Sequence, residues 1–415
     1  MIKNIFFPLI IVIMVLSSCN NSGQKKTSDN NVTDSLKQGS FVYDLHFLKQ
    51  HDDSVVVLSS DSGKAQVIVS PKYQAKVFTS TADGNSGQSF GWVNYKAFSG
   101  TPDAHMNAYG GENRFWLGPE GGKFSLFFKP DSQMVFTNWK TPAPFDSEPW
   151  KVVNENDHSV TMQKNMQLTN YKGTNLNISV ERSVKILSHA EIAQRLGLSL
   201  DTSVKSVAYQ TDNVITNDGK TAWTEATGMP CIWMLDMFTP SPATVIIVPY
   251  KNLSGAPFNK VVTSDYFGQI PPDRLKHNDD MLFLKADGKS RGKLGVVPTY
   301  AKPFAGSYDP QHKVLTIIMF DLDSSAKYLN QEWNTTKPSF SGDAVNSYND
   351  GPLADGTQMG PFYEMESVSP AAFLKPGESL SHKHAVFHFT GDEKGLDAIV
   401  QKLLGVSLED IQKEF

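Results

Sequence analysis

Cysteine is scarce in this 415-residue chain, which holds only Cys19 and Cys231. A disulfide scaffold is therefore excluded, and a chain of this size does not need one. Cys231, close to Pro230 and Trp233, reads as a buried apolar thiol. Basic charge is not in excess, because 38 Lys and Arg face 43 Asp and Glu for a net of −5. With no basic run or stripe, nucleic acid is excluded as a partner. Long apolar runs are missing after residue 16. Val245–Val248 stops at Pro249 and Leu315–Phe320 is equally short, so both read as buried strands. No glycine-rich phosphate loop, Walker-type motif or G-x-S-x-G elbow occurs. The pairs Asp279-Asp280 and Asp321-Leu322-Asp323 lack the spacing of a calcium loop and read as solvated turns. What is present is apolar and aromatic material, 40% and 11% of the chain, ample for a large globular domain.

The first residues set themselves apart. Lys3 precedes an apolar stretch, Ile5–Leu16, too short for a comfortable membrane span. Leu16-Ser17-Ser18-Cys19 follows, and this order resembles the lipobox of bacterial lipoproteins. The resemblance implies a signal peptide over 1–18, cleavage before Cys19 and lipid on its thiol. Residues 19–39, rich in Asn, Ser, Lys and Asp, are expected to form a flexible tether. No Asp follows Cys19, so the same resemblance points to a lipid anchor in the cell envelope at the outer membrane, on its periplasmic or surface face. The membrane is then touched through that lipid alone.

From Phe41 to about Phe389 the pattern is strand after strand. Ser54–Ser59 and Ala65–Val69 flank Asp61-Ser62-Gly63, a hairpin signal. Ala75–Thr79, Phe124–Phe128, Val160–Leu168, Leu176–Ile186, Val204–Asn213, Leu282–Lys285 and Val314–Phe320 continue it. Leu176–Glu181 alternates apolar with polar, so one face is buried and the other wet. A short helix is expected over His189–Leu196. After Gly391-Asp392, the apolar residues 396, 399, 400, 403 and 404 recur at helical spacing. Gly405 ends that helix and Ser407 caps a second. The expectation is one all-β domain over 40–390, built as two stacked sheets, with residues 391–415 as short helices outside them.

One stretch concentrates chemistry: His105–Gly122, HMNAYGGENRFWLGPEGG. Paired glycines at 110–111 and 121–122 permit positive φ and close backbone approach. Between them lie Glu112, Asn113, Arg114, Trp116 and Glu120. Carboxylates and amides suit hydroxyls, Arg gives a fixed fork of donors, and Trp offers a flat apolar face. Two readings are open: a polyol-binding segment, or a glycine-flanked strand with Phe115 and Leu117 toward the core. Glu120, after Pro119, is equally suited to bracing the loop.

The second dense stretch is Gly360–Phe389. It carries Glu364-Met365-Glu366, then Pro370, then Leu374-Lys375-Pro376-Gly377-Glu378, then the strand Ala385–Phe389. In this order and spacing the chain resembles the galactose mutarotase-like superfamily, which includes the aldose 1-epimerases, and looks closest to its uncharacterised bacterial lipoprotein members. Asn113-Arg114 after Gly110-Gly111 matches that superfamily's sugar-contacting pair. The resemblance implies a β-supersandwich and a carbohydrate ligand. It implies Glu364 as general base, with Asn113, Arg114, Glu112, Trp116, Glu366, His382 and Tyr348 around the sugar. Epimerases also supply two histidines. The corresponding segments here, Asn213–Gly219 and Ser264–Phe267, contain none. Mutarotation needs an acid as well as a base, so His384 and His105 are the expected catalytic candidates, with His277 and His382 as others.

On a strand, His382, His384 and His388 share a face. A divalent metal held by His382 and His384, completed by Glu364 or Glu366, is the weaker reading; the stronger is a polar strand face, with no cofactor. Tyr348 and Asn349 are placed either to line a cleft or merely in a loop. Arg274, His277 and Lys293 are candidates to read a uronate or sulfate, and one or two among Trp92, Trp116, Trp150 and Trp223 to stack on a sugar ring. Two functional classes follow: a carbohydrate-active isomerase or glycan-modifying enzyme, and a non-catalytic glycan-binding lipoprotein of a polysaccharide-uptake system. A purely structural envelope protein is disfavoured by the polar and aromatic density at 105–120.

Overall fold

The computed structural model describes residues 37–60, 62–252 and 255–415. The expected signal peptide, Cys19 and almost all of the tether lie outside the described residues. Among the described residues no helix is long and apolar enough to cross a membrane.

The first element departs from the strand pattern. Phe41–His51 is an α-helix, with Asp44 in its first turn and Lys49 and His51 in its last, matched to the helix dipole. Its opening Phe-Val-Tyr reads as strand locally. Packing decides otherwise, because Phe41 and Leu48 are buried against Ile68, Phe78 and Val93. The buried Asp44 carboxyl accepts from the Tyr95 hydroxyl, and burial raises its pKa to about 6.

Two large antiparallel sheets follow. The ten-stranded sheet runs Leu275–His277, Met281–Lys285, Val245–Pro249, Phe304–Asp309, Val314–Phe320, Ser379–Thr390, Lys205–Asn217, Asn175–Ile186, Ser159–Thr169, Lys151–Asn156 in spatial order. The six-stranded sheet runs Val262–Thr263, Gly292–Val296, Val345–Asn349, Tyr363–Val368, Cys231–Phe238, Arg114–Gly118. A three-stranded sheet, Val56–Ser59, Gln66–Ser70 and Lys76–Thr81, contains the expected hairpin. The architecture is thus the expected two-sheet β-sandwich. Asn175–Ile186 alternates buried and open residues along its length, as its sequence does.

Phe124–Phe128 is not a strand. It is irregular and buried, with Phe127 packed against Trp116, Trp139 and Phe145. A short apolar run signals burial, and only a partner with free backbone groups makes it a strand. Here Leu126 N–H donates instead to the Pro119 carbonyl.

The main core fills the space between the large sheets. A second cluster covers the outer face of the ten-stranded sheet with the helices His189–Leu196, Glu393–Leu404 and Leu408–Lys413. Each begins on a side-chain cap: Ser188 with Glu191 in a capping box, Asp392 on Gly395, Ser407 on Asp410. Gly405, at φ 81°, ends the middle one in the left-handed region. Gly306 lets that helix dock closely, since a Cβ there would lie 2.8 Å from Leu404 Cδ1. Leu396 is fully buried in this contact. Leu396→Ala should therefore cost about 2–5 kcal/mol, as for other buried leucines. Urea unfolding followed by circular dichroism measures this, and a loss under about 1 kcal/mol would mean that the C-terminal helices are loosely attached.

Candidate functional site

Strand alternation on the six-stranded sheet sorts its side chains onto two faces. Facing outward, away from the ten-stranded sheet, Lys293, Tyr348, Glu364 and Met237 form one cross-strand row. Asn346, Glu366, Leu235 and Arg114 form the next, and Trp233 and Trp116 are paired beyond it. Loops rise around this floor. Arg114, Trp116, Trp233, Lys293, Tyr348 and Glu364 line a cleft of about 150 Å³, walled by Glu120, Phe136, Trp139, Phe267, Arg291, Trp333, Met359 and Phe362. That mixture of aromatic faces and a few charged groups suits a small organic ligand.

The glycines bring the walls in. Gly110 has φ 83°, and a Cβ on it would meet the Trp92 carbonyl at 2.2 Å. A Cβ on Gly121 would meet the Glu332 carbonyl at 2.1 Å. Gly121 N–H instead donates to the Gln331 carbonyl, and Glu120 N–H to the Gln331 side chain at 2.6 Å. This contact sets Glu120 and Trp333 side by side on the cleft.

Two buried ion pairs lie in the floor. Arg114 Nη2 donates to Glu364 Oε1 at 2.5 Å, with its guanidinium 5.1 Å from the centre of Trp116. Lys293 Nζ reaches both oxygens of Glu366 at 3.0 and 2.8 Å, and Trp233 Nε1 donates to the same carboxylate at 2.8 Å. Burial pushes the Glu364 carboxyl above the usual carboxylate range, outweighing the pull of Arg114; Glu366 adds to the rise. Burial likewise raises Glu120, against Lys293 and the Trp333 indole N–H. Tyr348 stays protonated, donating to Asp350 at 3.0 Å and accepting from Arg291 Nε at 3.3 Å.

Of the residues singled out in the sequence, Arg114, Trp116, Glu120, Lys293, Tyr348 and Glu364 line the cleft. Glu366 lies beneath it, bound to Lys293 and Trp233. The others are elsewhere. Asn113 is fully buried between the sheets, donating to Asp236 at 2.6 Å and accepting from Arg182. Glu112 accepts from Ser80 and lies 2.9 Å from His388 Nε2, also in the interior. His382, His384 and His388 do share a face of their strand, but that face is the buried one. His384 and His382 both meet Ser367 Oγ at 2.8 Å, and His384 Nε2 lies 2.6 Å from Asp236. This places His384 and His382 outside the cleft, where they cannot touch a ligand bound there. Glu364 and Glu366 project from the opposite face of the sheet, away from both imidazoles, and so do not complete a metal site with them. Among the described residues no three His, Cys, Asp or Glu are grouped to hold a metal. His105 stacks on Phe136 and binds the Trp139 carbonyl at 2.6 Å, behind the cleft wall. His277 lies on Phe258, and Arg274 pairs with Asp287. Trp150 and Trp223 are core residues, Trp92 packs on Phe362, and Cys231 is a buried thiol.

The sequence reading missed Arg291, Trp139, Trp233, Trp333, Phe136 and Phe267 as cleft residues. They sit in no motif; Trp233 alone carried a signal, lying at strand spacing from Leu235 and Met237.

By its likeness to solved structures, the two-sheet sandwich has a galactose mutarotase-like fold. It is similar to an Escherichia coli K12 protein provisionally assigned as an aldose 1-epimerase, with TM-score 0.50 and 12% identity, over 81% of this chain and 98% of that one. It is similar also to a Synechocystis sp. PCC 6803 protein, with TM-score 0.51 and 12% identity, over 81% and 96%. A galactose mutarotase-like protein from Lactobacillus casei ATCC 334 follows at 0.45 and 11%, over 81% and 100%. The chain belongs to the Family of unknown function (DUF6786), whose model matches residues 39–415. No curated protein matches it.

The raised Glu364 makes stability depend on pH in a definite direction. Folding favours its protonated form, so its contribution is full below about pH 4.5 and is lost as pH rises through the folded value. The stability of the wild type relative to Glu364→Gln should therefore fall as pH rises from about 4.5. Urea midpoints of both proteins across pH measure it. A gap moving toward the wild type with rising pH would mean that Arg114, not burial, governs this carboxyl.

Proposed function

We propose that this protein binds a carbohydrate in the cleft and that Glu364 acts there as a general base, in chemistry of the aldose 1-epimerase kind. One observation carries the reading: a buried carboxyl with a raised pKa, held by an arginine, on a floor flanked by tryptophans. Sugar rings present apolar C–H faces and hydroxyl edges. Trp116 and Trp233 suit the former and Arg114, Tyr348 and Lys293 the latter. The provisional epimerase assignment of the Escherichia coli fold relative agrees with this.

In mutarotation, Glu364 takes the proton of the anomeric hydroxyl while an acid protonates the ring oxygen. The bond between the anomeric carbon and the ring oxygen breaks, leaving the open-chain aldehyde. Ring closure on the other face of the carbonyl reverses both transfers and returns both groups to their starting states. A base with a pKa near working pH suits this. Glu120, kept toward its protonated form by burial, is the cleft group fitted to be the acid; it stands where the expected histidines do not. Glu364→Gln should lower anomerisation of a bound sugar by about 10²–10⁴-fold with sugar affinity changed only a few-fold, read by magnetisation exchange between anomeric protons. Glu120→Gln should do the same. Unchanged turnover in Glu364→Gln would overturn the role of base.

The second reading is a non-catalytic glycan-binding lipoprotein serving polysaccharide uptake. The observation favouring it is the Arg114–Glu364 pair itself, which engages the carboxylate the base would need free. Saturable binding with no anomerisation above background would select it.

Either reading suits an envelope protein tethered through a lipid on Cys19. Cys19→Ser should move the protein from the membrane to the soluble fraction, and the wild-type N-terminal peptide should carry the mass of a lipid. Equal membrane association of both proteins would contradict the anchor.

A further inference from the structure

Each of the cations lining the cleft has a carboxylate partner except one. Arg114 has Glu364 and Lys293 has Glu366. Arg291, at the lip, has no carboxylate within ion-pair distance among the described residues. Its guanidinium lies 3.8 Å from the centre of the Phe267 ring, and its Nε donates to the Tyr348 hydroxyl at 3.3 Å. Tyr348 is itself fixed, giving its proton to Asp350, whose other oxygen accepts from Gly360 N–H. So the ring face and the Nε are engaged, while the terminal fork of the exposed guanidinium is left for another partner. A freely moving surface arginine would have none of these restraints.

We propose that the cleft selects sugars carrying an anionic substituent, a carboxylate or a sulfate ester, and that Arg291 receives that group. The proposal rests on the carbohydrate reading above and names its substrate class. A planar fork with two parallel N–H donors matches a carboxylate or sulfate edge and gains little from a neutral hydroxyl. The surrounding charge agrees. Burial holds Glu120 toward its neutral form, so the positive charge of the cleft is incompletely offset. The residues first suspected of this role do not perform it. Arg274 is spent on Asp287 and Lys293 on Glu366, whereas Arg291 stands two residues from Lys293 with its fork unpaired. Around Arg291 the lip is apolar, with Phe136, Phe267 and Met359 at 60%, 42% and 43% exposure. Few polar groups there compete for the anion.

Titration of the full chain with matched pairs tests this: oligogalacturonate against its methyl ester, and a sulfated galacto-oligosaccharide against its desulfated form. The wild type should prefer the charged member of one pair by about tenfold or more. Arg291→Gln should bring that preference to within about twofold while keeping affinity for the neutral member, which also reports an intact cleft. Arg291→Lys should fall between, having charge without a fork. The pair that responds separates carboxylate from sulfate. Binding without preference in the wild type, or a preference that survives Arg291→Gln, would overturn the proposal and leave the carbohydrate reading standing. Failure of all four probes to bind would overturn both.

Discussion

Arg114 and Glu364 are 250 residues apart in sequence and meet across an intervening strand, Cys231–Phe238, which pairs with the strand of each. Leu235 and Met237 of that middle strand stand beside them in register on the same face. Burial alone would strand both charges. Held together they are tolerable, but removing one partner of such a pair typically costs about 3–5 kcal/mol. The pair therefore fixes where the outer strand sits on the sheet and, in the same contact, where the Glu364 carboxyl faces. The rest of the cleft is arranged around that point: the tryptophans beside it, the Lys293–Glu366 pair one row away, and the loops drawn in by Gly110 and Gly121.

The opposite face of the same sheet carries a second polar system with a different task. Asp236 accepts from Asn113 on one oxygen and from His384 on the other, and Arg182 from the ten-stranded sheet donates to Asn113 and Asn213. Ser367 Oγ stands 2.8 Å from both His384 Nδ1 and His382 Nε2 and so bridges the two imidazoles. Burial, with His384 beside it, keeps His382 neutral, with a pKa lowered to about 3. The result is a connected set of buried polar contacts joining the two sheets through the core. Buried polar groups of this kind are stable only when nearly all are paired. These residues brace the sandwich from within, while their neighbours at odd spacing face the cleft.

That division explains what was readable in the sequence. The two-sheet architecture followed from the run of short β-branched segments, and the C-terminal helices from their spacing and caps. Glu364 and Glu366, two apart on one strand, share the outward face of the sheet. Asn113 and Arg114 were treated as a unit, yet adjacent residues on a strand must point oppositely, so only Arg114 reaches the cleft. The histidines at 382, 384 and 388 were correctly assigned a common face, but periodicity does not say which side of a sheet is covered. Phe41–His51 reads as strand because local propensity is weak against tertiary packing. The loop residues of the cleft, Arg291 and Trp333 above all, come together only through the fold and leave no local pattern.

The central claim is that the outer-face cleft is a carbohydrate site. Trp116, Trp139, Trp233 and Trp333, four of the seven tryptophans in the chain, line it. Their emission is a direct reporter. Titrating the native protein with neutral and acidic glycans while following tryptophan fluorescence should give a saturable change for at least one glycan, and the change should vanish in Trp233→Phe combined with Trp116→Phe. A protein whose emission no glycan alters, or one in which the change persists without those two indoles, would contradict the account.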